Sequence, residues 1–191
     1  MFHSSGGNEM RGMAVLFDFE YEDGYRKDAD IWLIATWDGN KSVVYTDVSM
    51  SEKSLKTDLR DLSEWNIDDD EYVGHNLHSL FDGKAFDLLK ATKEASAPVL
   101  QNEGKRFQLY DLARWNGVRG IPVEFVTRWR KASAWFKGQH IKSARWAIED
   151  AIMCYDLFNK VKRKGHVRFL DAKTGKRPSA SVSWSIAQED E

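Results

Sequence analysis

Short runs of apolar residues separated by turn signals begin the chain and indicate buried strands. Residues 13–20 form one such run, which turns polar at its C-terminal end, and residues 30–37 form a second. The turn sequence Asp-Gly-Asn at 38–40 connects the second run to a third at 41–46. An Asp-Gly pair between β-prone segments is typical of a hairpin. The pattern therefore predicts three antiparallel strands.

Helical and strand-like patterns alternate through the rest of the chain. The predicted elements are, in order, a helix at 51–63, a strand at 71–74, a helix at 78–93, a strand at 107–112, broken helical segments within 115–142, a helix from a Ser143 cap to about 164 that ends at Gly165, and two strands around the turn 173–176. We therefore expect an α/β fold with a mixed five-stranded sheet, helices on both faces and a C-terminal β-hairpin.

Length and composition favour one globular domain. The 191 residues are enough for a single core, and we expect a loose N-terminal tail at 1–12 followed by a domain at 13–191. No apolar run reaches the roughly 20 residues of a membrane helix, and residues 1–10 lack a signal peptide's apolar core. The single cysteine, Cys154, excludes an internal disulfide. We expect a cytoplasmic protein with no membrane partner.

Charge is distributed unevenly along the chain. Residues 1–104 carry 10 basic and 21 acidic side chains, whereas residues 105–168 carry 15 basic and 5 acidic ones. A basic surface of this kind suits a polyanion such as nucleic acid, although it is equally typical of a solvated helical face. Trp115, Trp129 and Trp135 lie in the same stretch. They are candidates for stacking on bases, and core positions are the alternative.

Three acidic residues, Asp18, Glu20 and Asp150, lie at positions suited to binding a metal ion. Asp18 and Glu20 are two residues apart at the end of the first predicted strand, so their side chains share one face. Hard oxygen ligands at this spacing suit Mg²⁺ or Mn²⁺. The alternative is a pair of solvated carboxylates. Asp150 has apolar neighbours one turn away on the last long helix, so it needs a partner, either a cation site or an arginine such as Arg145.

A third segment places polar residues after the predicted strand 71–74. His75-Asn76 follow that strand, and Phe81-Asp82 come next, ahead of Phe86. An aspartate early in a helix also complements the helix dipole, which is a sufficient structural reason for Asp82.

Together these segments resemble the DEDD family of 3′–5′ exonucleases, the proofreading type, over about residues 13–160. The family's first motif, Asp-x-Glu ending a first strand, matches Asp18 and Glu20. Its second motif resembles His75-Asn76 with Phe81-Asp82, and its third, Ala-x-x-Asp-Ala in the last helix, is similar to residues 147–151. The resemblance implies a ribonuclease-H-like fold.

Two features depart from the family pattern. The interval between Asn76 and Phe81 is longer than usual, so Asp87 is an alternative to Asp82. The family also has a His five residues, or a Tyr four residues, before its last aspartate, where this chain has Arg145 and Trp146. His140 is a candidate to act as general base from the preceding loop.

The resemblance implies hydrolysis of phosphodiester bonds with two divalent ions, Mg²⁺ or Mn²⁺, bound by Asp18, Glu20, Asp82 and Asp150. The expected substrate is the 3′ end of single-stranded DNA or RNA. Residues expected to contact it are His75, Asn76, Arg128, Lys131 and Arg145. Two alternatives remain open: an inactive nucleic-acid-binding module of the same fold, and a ribonuclease or endonuclease.

Overall fold

The structure, a computed structural model, describes residues 10–17, 30–77, 80–81, 84–99, 107–122, 126–171 and 174–185. Eight short strands and five α-helices make up the regular structure of these residues. The strands are β1 (Met10–Phe17), β2 (Ile31–Trp37), β3 (Ser42–Tyr45), β4 (Asp58–Arg60), β5 (Glu71–Gly74), β6 (Phe86–Asp87), β7 (His166–Arg168) and β8 (Ser179–Ser181). The helices are α1 (Glu52–Leu55), α2 (Leu88–Ser96), α3 (Leu109–Trp115), α4 (Arg128–Phe136) and α5 (His140–Lys164), with a 3-10 helix at Leu62–Glu64.

Six strands form one mixed sheet in the order β4-β3-β2-β1-β5-β6. The pairs β1–β2 and β2–β3 are antiparallel, as the hairpin signal predicted. β5 is parallel to β1, β6 is parallel to β5, and β4 is parallel to β3 at the opposite edge. β7 and β8 form a separate antiparallel pair, with the segment 169–178 between them. The carboxyl ends of β1, β5 and β6 therefore meet at one edge of the sheet.

The long helix α5 lies across the central strands, and a glycine permits the close approach. A Cβ atom added to Gly12 of β1 would collide with the backbone carbonyl oxygen of Ala151 and would also meet the Cβ of Tyr155 at 2.8 Å. Ala144, Ala147 and Ala151 are buried against the sheet on the same helix face. Small residues on both elements thus fix Asp150 close to β1.

The two faces of the sheet are covered differently in the described residues. On one face, α5, α4 and α1 bury Leu16, Leu33 and Val44. On the other face, Met13, Phe17 and Ile34 pack against Leu62 of the 3-10 helix, together with Trp65, Ile67, Leu80 and Phe81. The helices α1, α4 and α5 therefore lie on the same face of the sheet.

The helix predicted at 51–63 is wrong after its first turn. α1 ends at Leu55, and Lys56 adopts the left-handed conformation with φ of 57°. The hydroxyl of Thr57 then donates to the carbonyl of Ser42 at 2.7 Å, and the next residues pair with β3 as β4. Pairing with the exposed edge of β3 outweighs the helical leucine spacing, and it accounts for a sixth strand where five were predicted.

The strand predicted at 107–112 is also wrong. This segment enters α3, whose buried residues Leu109, Leu112 and Ala113 follow helical spacing. The neighbour of β5 is instead β6, inside the helix predicted at 78–93. Of the residues that the structure describes in that range, helix begins at Leu88 with α2. A short apolar run satisfies either period, so the packing against α5 decides.

Two boundaries differ from the predictions. β1 begins at Met10, so residues 10–12 belong to the sheet and not to a tail. α5 begins at His140, and Ser143 is inside it, where its hydroxyl donates to the carbonyl of Lys131 at 2.9 Å. Gly165 ends α5 as predicted, with φ of 68°. In the described part of the chain, no helix is long and apolar enough to cross a membrane.

Candidate active site

A cavity of about 230 Å³ opens where β1 ends, between α5, α4, the start of α3 and the residues that follow β5. We call it the α5 cavity. Its lining includes residues from each of these elements: Leu16, His75, Asn76, Gln108, Tyr110, Arg128, Lys131, Trp146, Glu149, Asp150 and Cys154. Three of the predicted site segments, namely the end of β1, the pair after β5 and the middle of α5, therefore converge on one concave surface.

Three of the four predicted metal ligands lie outside the described residues. These are Asp18 and Glu20, which follow β1 in the sequence, and Asp82. The last described residue before the first two is Phe17, which is fully buried at the end of β1. Among the proposed ligands, only Asp150 is placed by the structure.

Asp150 lies on α5 with its carboxylate directed into the α5 cavity, and its partner is a lysine. The ammonium group of Lys131 donates a hydrogen bond to Asp150 Oδ2. The side chain of Lys131 is only 8% exposed and that of Asp150 is 30% exposed, so the pair lies at the boundary between the core and the cavity. Burial of an ammonium group is costly unless it is paired, and Asp150 supplies the countercharge.

The surroundings of this pair are both acidic and poorly hydrated. Glu149 also lines the cavity, and burial is the main cause that raises its pKa, with the charge of Asp150 adding to the rise and Lys131 opposing it. Burial likewise raises the pKa of the Cys154 thiol well above its usual value. Cys154 is 1% exposed and therefore behaves as a small apolar residue and not as a nucleophile.

His75 and Asn76 form one wall of the cavity as predicted from their position after β5. His75 Nε2 lies 2.6 Å from the carbonyl oxygen of Phe107, and because a carbonyl only accepts, Nε2 carries the hydrogen. Loss of hydration is the main cause that lowers the pKa of His75, so the ring is neutral at pH 7. Asn76 has a left-handed backbone with φ of 63°, which asparagine tolerates better than most residues.

Asp87, the alternative to Asp82, has a structural role. Its Oδ1 accepts hydrogen bonds from the amides of Asn76, Leu89 and Lys90, and its Oδ2 accepts one from Leu77 at 2.7 Å. It thus caps α2 and fixes the backbone after β5. Asp87 is 8% exposed and does not line the α5 cavity, so its oxygens are directed at the backbone.

The predicted substrate-binding cations fall into different places. Arg128 lines the α5 cavity, with its guanidinium carbon 5.0 Å from the centre of the Phe17 ring. Lys131 is held by Asp150. Arg145 is on the other side of α5, where it donates to the carbonyl of Ser54 at 2.6 Å and lines a second surface depression.

His140 is the first residue of α5 and not part of a loop. Its ring packs against Trp135 with 4.6 Å between centroids and faces the same depression as Arg145. Ten residues of continuous helix separate it from Asp150, which corresponds to about 15 Å along the axis. In this arrangement the imidazole does not reach the α5 cavity, so the structure offers no support for His140 as general base.

The described residues alone do not form a metal centre. No group of three or more His, Cys, Asp or Glu side chains that could hold a metal ion occurs within the described ranges. Asp150 provides hard carboxylate oxygens of the kind that Mg²⁺ and Mn²⁺ prefer, and Glu149 lines the same cavity. The carboxylate of Asp150 fits a divalent ion if at least one of its two oxygens is not engaged by the ammonium group of Lys131.

Sequence reasoning missed Lys131 as the partner of Asp150 and named Arg145 instead. A signal was present: in α4, Lys131 shares the buried face with Ala132 and Trp135, and a lysine on such a face requires a buried anion.

The sequence did not decide whether the three tryptophans of the basic stretch are buried in the core or exposed. Trp135 is 7% exposed and stacks on Trp32, Trp115 is half-buried, and Trp129 is 61% exposed.

No protein-family model matches the chain, and a search of curated proteins finds no match either.

Proposed function

We propose that the chain is a metal-dependent 3′–5′ exonuclease of the ribonuclease-H-like fold that hydrolyses phosphodiester bonds in single-stranded nucleic acid. Five strands of the main sheet, β3-β2-β1-β5-β6, are compatible with that fold: three are antiparallel and two more are parallel to β1. β4 is then an addition at the edge beyond β3.

The observation that carries the proposal is the position of Asp150. It lines a cavity at the carboxyl ends of β1 and β5, together with Leu16 two residues before Asp18 and with His75-Asn76. A ligand site outside the carboxyl ends of strands is common in α/β sheets. Described residues from all three segments, Leu16 of β1, His75-Asn76 after β5 and Asp150 of α5, thus line one cavity, although they are far apart in the sequence.

Asp18, Glu20, Asp82 and Asp150 are the residues that would hold the divalent ions. Bound there, two ions would supply an activated water and charge stabilisation for the leaving oxygen. Arg128 lines the cavity wall, and in this proposal its guanidinium group would bind a substrate phosphate. The neutral His75 uses Nε2–H for Phe107 and so helps to fix the wall on which Asn76 is presented.

A nuclease assay on end-labelled single strands with Mg²⁺, Mn²⁺ or chelator tests the proposal. Label at the 5′ end should give a ladder of shortened products that requires the metal, and Asp150→Asn should reduce the rate at least 100-fold. Asp156→Asn is the matched control, because Asp156 is on the same helix and does not line the α5 cavity. Equal loss in both variants, or no metal-dependent cleavage by the wild type, would contradict the proposal.

A second candidate function is a nucleic-acid-binding module of the same fold without catalysis. The Lys131–Asp150 pair favours it, since an ammonium group already neutralises the carboxylate that the metal would use. This candidate predicts metal-independent binding of single strands with no cleavage. Measuring binding in chelator and cleavage in Mn²⁺ on the same preparation separates the two.

A further inference from the structure

In the part of the chain that the structure describes, exposed aromatic side chains are concentrated on the helix α4. Among the described residues, the exposed large apolar side chains are Val99, Trp129 and Phe136, with exposed fractions of 47%, 61% and 70%. Two of these three lie on α4, seven residues apart. Because seven residues make almost two full turns, Trp129 and Phe136 share one face, about 10.5 Å apart along the axis. We call this pair the α4 platform.

The Phe136 side of the platform packs on a partly buried aromatic stack. The Phe136 ring meets Trp32 edge to face at 4.7 Å, and Trp32 in turn lies parallel to the buried Trp135 at 6.3 Å. Phe136 is therefore supported from beneath while most of its surface faces solvent. A large exposed aromatic pair costs solubility, so its presence on a well-packed helix calls for a ligand.

Positive charge surrounds the platform. Arg130 and Lys137, each next in sequence to a platform residue, repeat the seven-residue spacing and are exposed. Arg130 lies 5.9 Å and Lys142 lies 5.0 Å from the ring centre of Trp146. Trp146 lines the α5 cavity, so a basic and aromatic surface continues from α4 to the side chain of Asp150.

We infer that the α4 platform binds single-stranded nucleic acid, with bases stacked on Trp129 and Phe136 and phosphates at Arg130 and Lys137. Stacking on an aromatic ring beside cations suits a strand whose bases are unpaired, because a duplex hides the faces of its bases. The axial spacing of the two rings corresponds to roughly three steps of 3.4 Å along a strand. This inference deepens the proposed function by assigning a substrate site outside the cavity.

Binding is measured by anisotropy of labelled 12-mers in chelator, so that hydrolysis plays no part. We expect Trp129→Ala to weaken binding of oligo-dT or oligo-U at least about tenfold, and Trp129→Phe to retain most of the affinity. The two oligonucleotides distinguish DNA from RNA as the source of the strand. Val99→Ala is the matched control, since it removes an exposed apolar side chain away from α4 and should leave binding unchanged.

The cations are tested by salt dependence. Reversing Arg130 and Lys137 to Glu should lower the slope of log affinity against log salt by roughly one to two. Reversing the exposed Lys93 and Lys176 makes the same change in net charge away from the platform and should leave the slope unchanged. Thermal melting of each variant confirms that it is folded.

Four outcomes test the platform, and the first two also distinguish it from the catalytic proposal. Loss of binding in Trp129→Ala, with cleavage of the wild type absent, would support the platform and remove the nuclease. Normal binding in Trp129→Ala, with metal-dependent cleavage lost in Asp150→Asn, would support the nuclease and overturn the platform. Equal binding of duplex and single strand would overturn base stacking. A wild-type dimer that becomes monomeric in Trp129→Ala would make the platform a contact between two copies and overturn the inference.

Discussion

At the scale of single residues, the protonation of His75 links the cavity wall to stability. Its pKa is lowered from the ordinary value of 6.5, mainly by loss of hydration, and the hydrogen bond to the Phe107 carbonyl opposes the shift. A base whose pKa falls on folding binds fewer protons in the folded state. Its contribution to stability is complete above about pH 6.5 and is lost as the pH falls from there through the lowered pKa.

We therefore predict that the free energy of unfolding of the wild type decreases between pH 6.5 and 5.5, by at most about 1.4 kcal/mol per pH unit from this group. His75→Gln keeps a neutral N–H donor for Phe107 and does not titrate, so its profile should be flatter over this interval. Urea unfolding at several pH values measures both. Parallel profiles for wild type and variant would contradict the assignment.

The pair Lys131–Asp150 gives a second prediction at this scale. In chelator, Lys131→Met should destabilise the fold by about 1–3 kcal/mol, because it leaves the carboxylate of Asp150 without its buried partner. Adding Asp150→Asn should recover part of this loss. A double-mutant cycle from urea unfolding measures the coupling, and a coupling near zero would show that the two groups do not interact.

At the scale of elements, the contact between β1 and α5 decides the position of the candidate site. Gly12→Ala should cost about 3 kcal/mol, because the new Cβ meets the backbone of Ala151 and α5 must shift. Gly120→Ala is the control: its φ of 70° strains an alanine, yet nothing lies within 4 Å, so about 1–2 kcal/mol is expected. Equal costs in thermal or urea unfolding would mean that α5 does not approach β1 so closely.

At the scale of the whole molecule, the proposed ligands come from three distant segments, so a bound ion should stabilise the entire fold. At a Mn²⁺ concentration tenfold above its Kd, we expect the melting temperature to rise by roughly 3–6 °C. Asp18→Ala should remove most of this rise, whereas Asp47→Ala, at an exposed position between β3 and α1, should not. The measurement is a thermal melt with and without Mn²⁺, and an undiminished rise in Asp18→Ala would place the ion elsewhere.

Local sequence was sufficient for the elements whose neighbours in the chain also form their contacts. β2 and β3 follow from two apolar runs around an Asp-Gly turn, and they pair with each other. β5 at Glu71–Gly74 has the predicted bounds, and α5 ends at Gly165 because a left-handed cap there needs glycine. The need of Asp150 for a partner also follows from the sequence, since its neighbours one helical turn away are apolar.

Only the tertiary structure decided the elements and contacts that depend on distant residues. Residues 107–112 fit a strand or a helix by local pattern, and packing of Leu109 and Leu112 against α5 selects the helix. Likewise, Lys131 and Asp150 are 19 residues apart, and their pairing depends on how α4 packs against α5. The exposed Trp129 and the buried Trp135 have similar sequence contexts, and the core that Trp135 shares with Trp32 distinguishes them. Burial is a property of the assembled fold, so a local pattern can propose these roles but cannot choose among them.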